Sequence, residues 1–377
     1  MVSFRKKPEL PEWLKAFARI DFAALLLVLG LLATGLCFVY SASYRGEATG
    51  IVGSWFRRQV FWGTAGLAAS AVLLAVGHRA LLRLSGWIYL ASLVLLFAVL
   101  IAGKRIFGAV RWLEIGGFQL QPSEFAKLAL VLVLARMLSL DAFPARRFWT
   151  VLAAAGLTAA PFALVMLEPD LGTAVVFPVV AAAMLFAAGM AKRWIFAAGG
   201  LALAAAPLGW FVLGDYQRDR ILTFLDPSRD PLGTGWNALQ STLAVGSGGM
   251  YGKGFLQGTQ NVLGFLPRTV SPSDFIFPVL AEEKGFAGGA MLLAAYALLL
   301  FCYLRTAARA KTADGALLAV GVAAVLFFHV FVNIAMTIGL MPITGLPLPL
   351  VSSGGTFMVC TLAGFGLVES VRARETA

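Results

Sequence analysis

Apolar segments long enough to cross a lipid bilayer recur along almost the whole chain. A spanning helix needs about 20 predominantly apolar residues. Segments of this kind occur at 21–41, 58–77, 81–102, 123–140, 148–167, 171–190, 193–213, 284–304, 314–340 and 352–371. Because 60% of the 377 residues are hydrophobic and only 13% are charged, a soluble enzyme and a disordered chain are excluded. The pattern predicts a single domain over 1–377, an all-α polytopic membrane protein with about ten transmembrane helices.

The basic residues predict how this domain is oriented. The formal net charge is +11, and lysine and arginine collect in cytoplasmic loops of membrane proteins. If the ten segments alternate across the membrane, the main basic clusters share one side with both termini, and we expect a cytoplasmic tail at 1–20. The basic excess is then a topology signal, and no nucleic acid partner is expected.

The segment 214–283, between the seventh and eighth predicted spans, breaks the apolar pattern. It is glycine-rich, and the alternation places it outside the cytoplasm. Loops beyond about 12–15 residues are usually functional or disordered, and this one is too apolar for disorder. Its run from Phe275 to Ala281 is too short to span the membrane. We therefore expect a large extracytoplasmic loop with a re-entrant or interfacial element, and we look for function there.

Ionisable residues at membrane depth are costly and are candidates for function. Glu124 and Lys127 lie three residues apart after a helix start at Pro122, so they share one helix face. They form either an internal ion pair that seats the helix or a cation that faces a cavity and is held by its carboxylate. Asp170, in the turn from Glu168 to Thr173, is either part of a solvated loop or a helix N-cap.

Three further polar groups fall in the long loop. The charges between Arg218 and Pro231 form either a solvated face or a grip for phosphate, which arginine binds bidentately. Lys253 lies between Gly252 and Gly254 in a glycine-rich stretch, where backbone amides can approach an anion. Asp274 heads an apolar run; it is either a helix cap or a poorly solvated carboxyl whose pKa rises toward that of a general base.

Six ordered stretches resemble the SEDS family (shape, elongation, division, sporulation), and the resemblance covers nearly the whole chain. They are LQPSEFAK at 120–127, EPDLGT at 168–173, LTFLDP at 222–227, GSGG with GKG at 246–254, DFIF with LAEE at 274–283, and the segment 333–355. Met336-Thr337 is more similar to the elongation branch than to the division branch. The chain departs from the family pattern in two places. Arg268 and Ser271-Pro272-Ser273 occupy the stretch where the family commonly has Glu-x-His-Thr, and Ser352-Ser353 stands where it often has Ser-Tyr.

The resemblance implies a peptidoglycan glycosyltransferase of the bacterial inner (cytoplasmic) membrane. Such an enzyme polymerises lipid II into β-1,4-linked glycan strands for cell-wall elongation and rod shape, with its active site facing the periplasm. It implies as partners a class B penicillin-binding protein, which is a transpeptidase, and other proteins of the elongation complex. The alternatives are a lipid II flippase, which ten helices with intramembrane charges also suit, and a division-type paralogue.

The resemblance also implies residue roles. Asp274 matches the aspartate required for activity, and we expect it to act as general base in an inverting transfer. Arg111, Lys127 and Lys253 are expected to contact the pyrophosphate of the substrate. Glu124 and Asp170 are expected to orient these cations or to hold a divalent ion, Mg²⁺ or Mn²⁺. Ser352 is a further candidate for substrate binding, and no other cofactor is expected.

Overall fold

The computed structural model describes residues 12–44, 50–106, 109–116, 118–267 and 270–376; residues 1–11 of the predicted tail lie outside them. The helices are α1 (Glu12–Ala18), α2 (Phe22–Ser43), α3 (Gly50–Val76), α4 (His78–Arg83), α5 (Ser85–Ala102), α6 (Pro122–Leu138), α7 (Phe148–Leu167), α8 (Leu171–Ala187), α9 (Lys192–Val212), α10 (Asp215–Leu225), α11 (Thr234–Ser247), α12 (Thr259–Val262), α13 (Ile276–Arg309), α14 (Ala313–Thr337) and α15 (Gly355–Val371). The strands are β1 (Lys104–Ile106), β2 (Ala109–Ile115) and β3 (Phe118–Leu120).

Each of the ten predicted apolar segments falls on a long helix of the described chain. Within the residues that the structure describes, seven helices are long and apolar enough to cross a membrane, so the prediction of a polytopic, mostly helical membrane protein is confirmed. Helices α6 and α8 have 17 residues each, and α6 carries the charged pair Glu124 and Lys127. The total of ten spans and the placement of the long loop on the extracytoplasmic side stay predictions.

Helix α13 is broken near its start. Gly285 has φ 66° and ψ −165°, a conformation that glycine adopts readily, and a Cβ atom there would lie 2.4 Å from the backbone N of Gly252. The glycine-rich loop after α11 covers the backbone groups that the break exposes. Lys253 N donates to Glu282 O (3.0 Å), and Phe286 N donates to Gly249 O (2.8 Å). The break is thus stable because the loop restores the lost hydrogen bonds.

The chain between α5 and α6 forms a small sheet that the helical pattern did not predict. Its three strands pair in the order β1-β2-β3, and both pairings are antiparallel. Strand β2 carries Arg111 and lies close to the start of α6 in the chain. Just before that helix, the backbone N of Gln121 donates to Thr356 Oγ1 of α15 (3.2 Å).

The two ends of the described chain meet at one end of the helix bundle. Asp21 N, before α2, donates to Glu369 Oε2 (2.8 Å), and Thr312, before α14, donates to Glu375. Near the far end of α14, Asn333 instead contacts the loop that carries Asp274. Because α14 runs the length of the bundle core, where it packs against α6, α8, α13 and α15, Asp274 lies at the end opposite the termini.

Candidate active site

The backbone on either side of Asp274 is fixed by hydrogen bonds from two distant segments. Asn333 Nδ2 donates to Asp274 O (3.0 Å), and Ser352 Oγ donates to Ser273 O. Ser353 N donates to Pro272 O (2.8 Å). Helix α13 begins at Ile276 with Phe275 as its N-cap residue, so Asp274 does not occupy the cap position. The helix-cap alternative for this residue is therefore wrong.

The carboxyl group of Asp274 lies against a glycine of the loop between α14 and α15. Gly345 has φ +77°, and a Cβ atom on it would be 3.3 Å from Asp274 Oδ2. Burial raises the pKa of Asp274 to about 7; the Ser273 hydroxyl and the charges of Arg220 and Arg111 act in the opposite direction, while Asp170 adds to the rise. A carboxyl group with this pKa is able to accept a proton near neutral pH.

Arg111 and Asp170 form the second part of the cluster. Arg111 Nη2 donates to Pro169 O (2.6 Å), and its Nη1 lies 3.5 Å from Asp170 Oδ2. Asp170 is also the N-cap of α8, accepting from Thr173 N (3.1 Å) and Thr173 Oγ1 (2.9 Å). The N-cap alternative is therefore confirmed. The same carboxylate forms the ion pair with Arg111; its role in orienting this cation for substrate stays a prediction.

Glu168 is a buried acid beside this pair. It is 0% exposed, and neither of its carboxyl oxygens has a hydrogen-bond partner among the described residues. Burial raises the pKa of Glu168 to about 8; the Asp170 charge adds to this effect and the Arg111 charge opposes it. Near neutral pH, Glu168 therefore carries a proton and leaves the positive charge of Arg111 to be balanced by Asp170.

Arg220, on α10, is a cation of the site that the sequence did not single out from its charged segment. Its Nη1 donates to Ile343 O (2.9 Å) in the loop between α14 and α15. Arg220 lines two cavities, of about 270 Å³ and about 200 Å³. The smaller cavity extends to Pro169 and Gly172 at the start of α8. The neighbouring Arg218 instead donates to the carbonyls of Trp210 and Phe211 at the end of α9.

Glu124 and Lys127 lie in a separate buried cluster on α6. Lys127 Nζ is 2.8 Å from Glu124 Oε2 and 2.8 Å from His329 Nε2, and all three side chains are almost inaccessible. The internal ion pair is therefore present. His329 Nδ1 lies 3.4 Å from Pro347 O, so this cluster contacts the same loop that packs on Asp274.

Lys253 is tied to a different carboxylate. Its Nζ donates to Glu282 Oε1 (2.7 Å) and to Thr259 Oγ1 (2.6 Å). Glu282 is fully buried at the start of α13. The structure thus groups Arg111, Asp170 and Arg220 around Asp274, while Lys127 with Glu124 and Lys253 with Glu282 form two other clusters.

Ser352 acts on the backbone of the site. Its hydroxyl accepts from Leu348 N (2.8 Å) and donates to Ser273 O, so it joins the loop before α15 to the Asp274 segment. Asn333 and His329 were missed by the sequence reasoning; the available signal was a polar side chain inside an apolar helix. Among the described residues, no group of three His, Cys, Asp or Glu side chains is placed to hold a metal ion, and the divalent ion stays a prediction.

The chain is similar to known proteins over nearly its whole length. A family model described as cell cycle protein, for FtsW, RodA and SpoVE, matches residues 22–377. The chain is 41% identical to the peptidoglycan glycosyltransferase MrdB of Escherichia coli (strain K12), over 94% of each chain. The structure is similar to one described as structural coordination of polymerization and crosslinking by a peptidoglycan synthase complex, with a TM-score of 0.77, 35% identity and coverage of 94% of this chain and 97% of that chain. It is also similar to the rod shape determining protein RodA of Thermus thermophilus, with a TM-score of 0.72, 32% identity and coverage of 97% and 100%.

Proposed function

The chain belongs to the FtsW, RodA and SpoVE family of cell cycle proteins, and we propose that it is a peptidoglycan glycosyltransferase that polymerises lipid II. The SEDS resemblance drawn from the six motifs is thereby confirmed. Its relative MrdB carries the name of this activity over nearly the whole length of both chains. We assign it to the elongation branch, in agreement with its similarity to a rod shape determining protein.

The enzyme resides in the bacterial inner membrane, with both termini in the cytoplasm and Asp274 facing the periplasm. Two observations support this orientation. The ends of the described chain meet at one end of the bundle, together with Arg79, Arg305 and Arg372, and Asp274 lies at the other end. Arginine and lysine mark the cytoplasmic side of membrane proteins.

The reaction uses a general base for the acceptor and a set of cations for the leaving group. The donor sugar leaves an α-linked pyrophosphate and the new bond is β-1,4, so the reacting carbon inverts. Asp274 removes the proton from the acceptor 4-hydroxyl, and the pyrophosphate departs on the opposite face of the sugar. Arg111 and Arg220 stabilise the departing pyrophosphate by charge-assisted hydrogen bonds. The observation that carries this assignment is the placement of Asp274: hydrogen bonds from Asn333 and Ser352 fix its segment, its carboxyl group lies against Gly345, and the charges of Arg111 and Arg220 act on it.

The remaining candidate residues support this centre from a distance. Asp170 orients Arg111 through the 3.5 Å ion pair. Lys127 with Glu124, and Lys253 with Glu282, hold elements that pack around the site. Ser352 fixes the Asp274 backbone. Contacts of Lys127, Lys253 or Ser352 with substrate, and a divalent ion held by Asp170 or Glu124, stay predictions.

The enzyme works with a class B penicillin-binding protein that crosslinks the strands it makes. The similar solved structure is described as coordinating polymerization and crosslinking in a peptidoglycan synthase complex. A glycan strand polymerised at the periplasmic face of the inner membrane is the substrate that a transpeptidase requires.

One reconstitution separates this function from lipid II transport. The full-length chain and a class B partner are placed in liposomes with labelled lipid II, and polymer is measured on gels while translocation is measured by surface quenching of the label. Polymer that depends on the chain supports the proposal. Translocation without polymer, at several lipid II concentrations, would establish the flippase instead.

A further inference from the structure

An apolar groove runs between α2 and α13 on the outer surface of the bundle. Its volume is about 820 Å³, and it is lined from Ala23 to Phe38 on α2 and from Leu280 to Arg305 on α13. Met291 and Phe301 in its wall are 69% and 61% exposed, so the groove opens toward lipid. Along α2 it extends about 22 Å, which is more than the depth of about 15 Å of one leaflet's hydrocarbon.

A cationic cavity lies at the end of the bundle that carries the termini. Its volume is about 310 Å³. It is lined by Ala18, Arg19, Ile20, Arg305, Thr306, Arg309 and Arg372. Four of these seven residues are arginines, contributed by the chain between α1 and α2, by the last turns of α13 and by the chain after α15.

Among the described residues, these four arginines face two carboxylates, those of Asp21 and Glu369. Asp21 pairs with both Arg305 and Arg372. Arg19 donates to the carbonyl of Ala373 (3.4 Å), and Arg309 makes no ion pair with any of the residues described by the structure. The rule that cytoplasmic loops are basic explains arginines at this end. It does not explain why four of them converge on one cavity.

The cavity and the groove adjoin at Arg305, which lines both. A cationic pocket beside an apolar groove of membrane depth matches a phosphate headgroup joined to an acyl chain. We propose that this is a binding site for an anionic phospholipid, with its phosphate among the arginines and one chain between α2 and α13. Basic pockets between transmembrane helices on the cytoplasmic side bind such headgroups. An apolar partner helix would fill the groove without using the arginines.

The proposal is independent of the glycosyltransferase function, and only the assignment to the inner leaflet uses the proposed orientation. The test is native mass spectrometry of the full-length chain with dioleoyl-phosphatidylglycerol or dioleoyl-phosphatidylcholine. Both headgroups carry a phosphate, but the quaternary ammonium of choline cancels its charge and is repelled by the arginines. We therefore expect the anionic lipid to bind at least about tenfold more tightly, which corresponds to about 1.4 kcal/mol.

Matched variants locate the headgroup and the chain separately. The double variant R19Q/R309Q is expected to weaken phosphatidylglycerol binding about tenfold, whereas R83Q, on α4 at the same end of the bundle, leaves it unchanged. A Cβ atom on Gly30 would meet no other atom within 4 Å, and Gly30 lines the groove, so the ring of Gly30→Phe is expected to occupy it. This variant is expected to weaken binding by a similar factor. Gly156→Phe, at an open position on α7, is its control.

Several results would overturn the proposal, provided that thermal melting shows folded variants. Equal affinity for the two lipids, or unchanged binding in R19Q/R309Q, would show that the arginines do not bind an anionic headgroup. Binding lost in R19Q/R309Q but kept in Gly30→Phe, with displacement by inorganic phosphate, would show a free phosphate site instead. A dimer that Gly30→Phe dissociates would show that a second copy covers the groove.

Discussion

The pKa of Asp274 makes a quantitative prediction about the pH dependence of polymerisation. The base acts in its ionised form, so activity is retained above the pKa and lost as the pH falls through it. With a pKa of about 7, the ionised fraction is about 91% at pH 8 and about 9% at pH 6, which predicts a roughly tenfold fall in kcat/KM. An aspartate with the ordinary pKa of 3.8 would give no change over this range.

The assay is the initial rate of lipid II polymerisation by the full-length chain with its transpeptidase partner, at a lipid II concentration below KM. Arg220→Gln removes a positive charge that lowers the pKa of Asp274, so the acid limb of this variant's pH–rate profile is expected to move to higher pH. Arg229→Gln, in the same charged segment but exposed, should leave the limb in place. A flat profile from pH 6 to 8, or identical limbs for the two variants, would refute the reasoning.

Three other predictions concern residues around the base. Glu168 has a folded pKa raised from 4.5 to about 8, so the stability that its proton supplies is complete below pH 4.5 and is lost by the time the pH has risen through 8. Thermal melting should show stability declining between about pH 5 and pH 8, by up to about 1.4 kcal/mol per pH unit, and levelling off above pH 8; Glu168→Gln should lack this decline. Asn333→Ala removes donors to Asp274 O and Leu346 O, and is expected to lower kcat about tenfold with little change in KM. Lys127→Met leaves Glu124 buried and unpaired, which should cost about 3–5 kcal/mol of stability in melting experiments, partly recovered in E124Q/K127M.

The sequence predicts most of the membrane architecture because that information is local. Spanning length and hydropathy can be read within a window of about 20 residues. The pair of Glu124 and Lys127 follows from their spacing on one helix turn, and the N-cap role of Asp170 follows from its position before α8. Asp274 can be identified because an acid at the head of an apolar run is itself a local pattern.

What the sequence does not predict depends on contacts between distant segments. Arg220 donates to Ile343, 123 residues away, and Lys127 meets His329, 202 residues away. Lys253 is bound to Glu282 only because the break at Gly285 brings a glycine-rich loop onto α13. The sequence therefore does not distinguish Arg111, Lys127 and Lys253 as pyrophosphate contacts. Of these three, the structure places only Arg111 in the Asp274 cluster.

The most direct test of the account is the polymerisation rate of Asp274→Asn, measured together with its affinity for lipid II. The asparagine is of similar size and cannot accept the proton, so lipid II should bind within about threefold of the wild-type affinity while the rate falls by about 10²–10⁴. Polymerisation within a few-fold of wild type, in a folded and partner-bound variant, would contradict the assignment of Asp274 as the base.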